Sequence, residues 1–193
     1  MRENLTPSQI EKIVSAAKRG DEKSFEKIFE FFYDKILRYT AFRVEERETE
    51  DIVSEVFLKV VEKLHSYVPD KKAGFNAWIF RIAHNTIIDF YRRKKEILGL
   101  GGGEDEEGEN FFLQIEDESP RPDENTDHQF NTRRLYRILQ KMPASMREIL
   151  ELKYLEGFSN AEVSHITGKS EGNIRVLQLR ALREIRKMWG DSL

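Results

Sequence analysis

Between Glu96 and Phe130 the chain reads EILGLGGGEDEEGENFFLQIEDESPRPDENTDHQF, and no compact unit can be threaded through it. About a dozen carboxylates stand there with Arg121 as the one Lys or Arg, beside a Gly triplet and two prolines. Like charges repel, and so little apolar surface cannot offset the entropy lost on ordering. The stretch is therefore expected to be a disordered acidic tether. It divides the 193 residues into two flanks, each the size of a small domain. The formal net charge of -3 hides this segregation, because without the acidic stretch the flanks are together net positive.

Both flanks read as helix. Thr6-Pro7-Ser8-Gln9 predicts a helix start, with a Thr cap, Pro in the first turn and Gln closing a capping box. Gly20-Asp21 ends that helix and caps the next, where Phe25, Ile28, Phe29, Phe32, Ile36 and Leu37 recur at helical spacing. A third helix is expected over about 49–65, with Ile52, Val53, Val56, Val60 and Leu64 inward. After the loop SYVPDKKAG comes a fourth, FNAWIFRIAHNTIIDFYRRKK. No strand alternation of any length occurs. The expected fold is all-α: a helical bundle over 5–95, a flexible acidic linker over 96–130, and a second helical domain over 131–189.

The second flank has a recognisable order. A helix over about 131–141 stops at Met142-Pro143, and MREILELKYLEG comes next with Gly157 as its C-cap. Ser159-Asn160-Ala161-Glu162 is a capping box, Gly168 makes a turn, and Ser170 caps a long last helix. Ser164, Gly168 and Ile174 have the spacing of a helix-turn-helix: a small residue where two helices touch, a turn glycine and an apolar anchor. On the last helix Ile174, Ala181, Ile185 and Met188 form an inward stripe. Asn173, Arg175, Arg180, Arg183, Arg186 and Lys187 lie largely on other faces. Guanidinium groups attract phosphates whatever the sequence, and residues near the helix start can reach base edges in the major groove. The plain alternative is a solvated basic face, and the preceding helix and turn favour DNA binding.

The fourth helix is the other basic element. Phe75, Trp78, Ile79, Ile82, Thr86 and Phe90 recur at core spacing, with Ile79, Ile82 and Phe90 read as packing residues. Phe80, Arg81, Asn85, Asp89, Tyr91, Arg92, Arg93, Lys94 and Lys95 fall partly off that stripe. Such a mixture of rings, amide and guanidinium groups suits unstacked bases and a single-strand backbone. On the third helix, Asp51 and Glu55 are four apart and share one face. The macrodipole alone favours carboxylates there, and the pair could also meet basic residues of a partner.

Enzymatic chemistry finds little support. There is no cysteine, which excludes disulfides, thiolate metal sites and thiol nucleophiles. Glu62-Lys63-Leu64-His65 and Glu162-Val163-Ser164-His165 have the Glu-x-x-His spacing of di-iron bundles, but the second lies inside the helix-turn-helix. No phosphate-binding Gly loop and no Gly-x-Ser-x-Gly elbow occurs. A non-enzyme without cofactor or metal is expected. No run approaches the roughly 18 apolar residues of a membrane span, and MRENLTPSQIEKIV lacks an apolar signal core. A cytoplasmic protein without membrane insertion is the expectation.

The ordered set TEDIVSEVFLKVVEKL, FNAWIFRIAHNTIIDFYRRKK, a tether and MPASMREILELKYLEGFSNAEVSHITGKSEGNIRVLQLRALREIRK resembles the bacterial RNA polymerase sigma factors. It is most similar to the extracytoplasmic-function (ECF) group of the sigma-70 family, which keeps only regions two and four. The resemblance runs from about Leu5 to Met188 apart from the tether. It implies region two over 5–95 and region four over 131–189. It also implies core RNA polymerase and promoter DNA as partners, and an anti-sigma factor as a regulator. By the same resemblance, Asp51, Ser54, Glu55, Phe57 and Leu58 dock on the polymerase, with Ser54 standing where the family usually has Gln. Asn85, Asp89, Arg92 and Arg93 would serve the minus-ten element, together with the loop Ser66 to Gly74. Ser170, Glu171, Asn173, Arg175, Val176, Leu179 and Arg180 would serve the minus-thirty-five element. The family tends to place Arg then Leu where this chain has Leu177 then Gln178. Either Gln178 faces inward and Leu177 faces DNA, or the helix is rotated. Leu135, Leu139, Ile149 and Leu150 would partly form a docking groove for the polymerase flap. The competing reading is a stand-alone helix-turn-helix regulator, whose N-terminal bundle senses a ligand or dimerises.

Overall fold

The computed structural model of the chain describes residues 5–70, 72–98, 134–135, 137–139 and 141–190. The acidic tether, apart from its first residues at 96–98, lies outside the described residues, as do residues 131–133 of the helix expected over 131–141. The described elements are α1 (Pro7–Ala17), α2 (Glu22–Ala41), α3 (Glu46–Leu64), α4 (Phe75–Ile97), α5 (Ala144–Leu150), a π-helical turn (Glu151–Leu155), α6 (Asn160–Thr167) and α7 (Glu171–Gly190). Residues 134–135 and 137–139 are also helical.

Local chemistry sets many of the boundaries. The Thr6 and Ser159 capping boxes both form, each with the side chain and backbone bonds reciprocated. Gly20, Gly157 and Gly168 all sit at positive φ, which glycine tolerates without a Cβ clash. Ser170 Oγ accepts the Asn173 amide, so it caps α7 as expected. Asp21 occupies a cap position, but its carboxylate takes the Ser24 hydroxyl rather than a backbone amide.

α1 to α4 form the first bundle, and the helix-turn-helix packs directly on it. One continuous core runs from Ile10 and Val14 through Ile36, Val56 and Ile79 to Ile149, Leu152, Phe158, Val163 and Ile174. α6 lies along α4. At the joint, Phe80 stacks edge-on against Tyr39 of its own bundle and Phe158 of the other unit. A second, smaller cluster of Met142, Leu150 and Ala181 holds α5 against α7. The expected two-unit helical fold is present, and the two units share an interface.

That interface carries buried charge. Glu148 Oε1 accepts the Tyr39 hydroxyl at 2.7 Å and lies 2.9 Å from His84 Nδ1 and 3.6 Å from Arg43 Nε. Arg43 also pairs with Glu151 at 2.6 Å, and its guanidinium covers the Tyr39 ring. Neither Glu151 oxygen receives an aligned hydrogen bond. Burial works to raise both carboxyls. For Glu148, His84, Arg43 and Tyr39 outweigh it and bring the group down to about 2. For Glu151, burial wins over Arg43 and the group stays raised. At the rim, Arg38 meets Glu156 at 2.6 Å.

Candidate nucleic-acid interface

α7 is amphipathic and placed by a few anchors. Ile174 and Ala181 are fully buried, and Ile185 and Met188 pack against the smaller cluster. Leu177 packs against the main core, while Gln178 Nε2 donates to the Tyr154 hydroxyl at 2.9 Å. The helix is thus rotated so that Leu177, not Gln178, serves the core, and the proposal that Leu177 faces DNA is corrected. The other face shows Asn173, Arg175, Val176, Leu179, Arg180 and Arg183 to solvent, with Ser170 and Glu171 at its N-terminal end. Arg175 is only loosely held by Glu171, at 3.5 Å. A basic helix with its N-terminal end exposed is the shape that enters a major groove.

α4 presents a narrower strip. Asn85, Arg92 and Arg93 are exposed, and Asp89 is half-buried between Lys59 at 3.6 Å and Arg92 at 3.8 Å. Phe80 and Tyr91, expected on that exposed face, are buried instead. Phe80 is consumed by the joint, and the Tyr91 hydroxyl donates to the Arg43 carbonyl beneath α4. The aromatic platform expected from these two rings is therefore absent, because a second helix layer lies on that side.

Of the five α3 residues expected to dock on the polymerase, three share one exposed face. Asp51, Ser54 and Leu58 are exposed along one face. Ser54 Oγ donates to the Glu50 carbonyl of its own helix. Phe57 does not join them. It is 6% exposed, with its ring against Phe29 at 4.6 Å and Tyr33 at 6.2 Å, so it serves the core. Glu55 turns toward α4, bonded by Lys59 at 2.9 Å and Arg93 at 2.8 Å. Burial opposes its charge, but these two cations outweigh it and hold the carboxyl below its usual range. Lys59 also reaches Thr86 and Asp89, so α3 and α4 are laced together by Glu55, Lys59, Asp89 and Arg93. Val61, one turn beyond Leu58, is half exposed and extends the stripe; its i+3 spacing from Leu58 was the available signal.

Of the apolar residues expected to form a second docking groove, Ile149 and Leu150 are core, Leu139 packs beside them and Leu135 is exposed. Glu162 closes the capping box of α6, which takes it away from any metal role with His165. Among the described residues no group of three or more His, Asp or Glu side chains is placed to hold a metal ion, and no helix is long and apolar enough to cross a membrane.

Known proteins share both halves of this arrangement. Residues 32–97 match the family model of Sigma-70 region 2, and residues 132–185 match that of Sigma-70, region 4. The chain is 30% identical over 152 residues to the RNA polymerase sigma factor SigZ of Bacillus subtilis, covering 76% of each chain. It is 25% identical over 186 residues to the ECF RNA polymerase sigma factor BldN of Streptomyces coelicolor, covering 96% of this chain and 67% of that one. Its fold is similar to that of the sigma factor RpoE of Bartonella quintana, solved with the anti-sigma factor NepR: the TM-score is 0.67 at 20% identity, over 87% of this chain and 98% of the other. The stand-alone regulator is thereby set aside in favour of a transcription initiation factor. With both regions matched in order and a relative at 30% identity, the chain belongs to the sigma-70 family of RNA polymerase sigma factors, in its ECF group.

Proposed function

We propose that the chain divides the work of an ECF sigma factor among three surfaces. The α3 stripe of Asp51, Ser54, Leu58 and Val61 docks on core RNA polymerase, with Glu55 bracing it from beneath. Asn85, Asp89, Arg92 and Arg93 on α4, with the loop before that helix, serve the minus-ten element. Ser170, Glu171, Asn173, Arg175, Val176, Leu179 and Arg180 serve the minus-thirty-five element. The observation that carries this reading is that two exposed basic helix faces, on α4 and α7, stand in separate units beside a mixed acidic and apolar stripe on α3.

The mechanism rests on lengths. Elements named for minus ten and minus thirty-five lie about 25 base pairs apart, or about 85 Å of duplex at 3.4 Å per step. In the structure the two units touch through Phe80 and Phe158. Both elements can be gripped together only after that contact opens. The 98–130 stretch beyond α4, at up to about 3.3 Å per residue, could reach roughly 110 Å and does not limit the span. Polymerase binding supplies the energy that separates the units, and capture of unstacked bases offsets a melting cost of a few kcal/mol per base. The domain division is 5–95, 96–130 and 131–189, and the site of action is the cytoplasm. An anti-sigma protein that holds the units together is the natural inhibitor. The sigma factor RpoE, solved with the anti-sigma factor NepR, offers the precedent for a partner of that class.

The test is co-elution. Mixed with core polymerase, the pure chain is expected to run as a one-to-one complex and to yield a promoter-dependent transcript. Firm binding to a short duplex without polymerase, and none to polymerase, would overturn the assignment.

A further inference from the structure

The loop between α3 and α4 is held from outside the region that the region 2 model matches, which begins at residue 32. Glu11 of α1 reaches across with a single carboxylate oxygen. Oε1 accepts the Tyr67 hydroxyl at 2.8 Å and the Phe75 amide at 2.9 Å. The Phe75 amide is the first orphan donor of α4, and Gly74 before it has no side chain with which to cap. Glu11 is thus a cap delivered from another helix, with its charge on the favourable end of the α4 dipole. Two turns further along α1, Lys18 Nζ donates to the Tyr67 carbonyl. Tyr67 itself is buried, with its ring against Phe75 and Trp78 at 5.2 and 5.1 Å. Burial, and then the Glu11 carboxylate, push its phenol up, so it remains a donor. Beyond this pinned ring the chain turns outward, and Val68 is 76% exposed. Asp70 closes the turn, accepting the Lys72 amide on its side chain and the Gly74 amide on its carbonyl.

We propose that α1 is a positioning element for minus-ten recognition: Glu11, supported by Lys18, fixes both ends of the loop through Tyr67 and Phe75, so that Val68 to Asp70 meet an unstacked base already formed. The proposal rests on the assignment of this loop to the minus-ten element. A loop ordered beforehand spends less binding energy on ordering, and its shape discriminates among bases. Glu11 touches no DNA in this scheme and acts through Tyr67 and α4.

The experiment uses reconstituted holoenzyme and a template pool randomised at the minus-ten and minus-thirty-five positions. Selected templates are sequenced for the wild type, Glu11→Ala, Glu11→Gln, Tyr67→Phe and the loop variant Val68→Ala with Asp70→Ala. For Glu11→Ala, minus-ten base preference is expected to fall to within about twofold, from a roughly five- to hundredfold preference at a well-read position. Preference at minus-thirty-five and affinity for polymerase should hold. Glu11→Gln, whose amide oxygen still accepts, should restore the profile, and Tyr67→Phe should lie between. If Glu11→Ala does not fold, Tyr67→Phe carries the same test, since it keeps the ring and the Phe75 bond. An unchanged minus-ten profile in Glu11→Ala and Tyr67→Phe overturns the proposal while the loop variant still shifts that profile. An equal loss in all three readouts overturns it too, by making Glu11 a stability residue only. A loop variant with the wild-type profile removes the loop assignment, and the proposal falls with it.

Discussion

The two helices proposed to meet promoter DNA, α4 and α7, are built on opposite plans. Ten of the 23 residues of α4 are buried, against two of the 20 in α7. α4 is a pillar of the core that leaves only a thin exposed strip, and in the proposed reading bases leave the duplex to reach it. α7 is laid on the surface by Ile174 and Ala181, with most of its circumference free to enter a groove. Changes to α4 should therefore couple stability to recognition, whereas changes to α7 should separate them.

The sharpest contrast is Phe80→Ala, expected to cost about 3–5 kcal/mol in denaturant unfolding because the ring fills the joint between both units. A cost near zero would show that the units do not share a core. Next comes acid. Glu148 is held down at about 2 against an ordinary 4.5, so its contribution is complete above about 4.5 and lost as pH falls toward about 2. That loss amounts to about 3 kcal/mol and should vanish from the unfolding profile of Glu148→Gln. Glu151, raised by burial, acts with the opposite sign: its share is present below 4.5 and lost as pH rises through its raised value. Glu151→Gln should flatten that limb.

On α7, Arg180→Ala should weaken holoenzyme binding to minus-thirty-five DNA and lower the salt slope by about 1, read from affinities across a salt series. An unchanged slope would remove Arg180 from the phosphate contacts. Ser159→Ala, which breaks the capping box of α6, should cost about 1 kcal/mol of stability. The smallest effect is on Val176→Ala, which should alter unfolding by less than about 0.5 kcal/mol while changing minus-thirty-five preference. A stability loss there equal to that of Phe80→Ala would erase the contrast between the helices.

Legibility in the sequence tracks the range of the forces involved. The Thr6 and Ser159 boxes, the Gly168 turn and the Ser170 cap are set within four residues, and each formed as read. The inward stripe of α3, Ile52 to Leu64, needed only helical periodicity and one covering layer. Phe57, Phe80 and Tyr91 were misread because each is buried by a neighbour that periodicity along its own helix does not reveal. Phe57 lies under Phe29, and Phe80 under Phe158. The Arg43, Glu148 and Glu151 cluster was missed for the same reason. Its partners are more than a hundred residues apart, and in the string MREILELKY the two carboxylates look like ordinary solvated charges. Glu11 gave no signal of its own, since its partners, Tyr67 and Phe75, belong to another hairpin.

The π-helical turn at Glu151–Leu155 has a geometric consequence. An α-helix advances about 100° per residue, so one extra residue in a turn rotates the chain after it, relative to the chain before it, by about that angle. Glu148 lies before the insertion and Glu156 closes it, and both reach the first bundle, at Tyr39 and Arg38. The widened turn thus acts as a phase adjuster that brings two grips onto one side, and deleting a single residue from it would swing one of them out of reach.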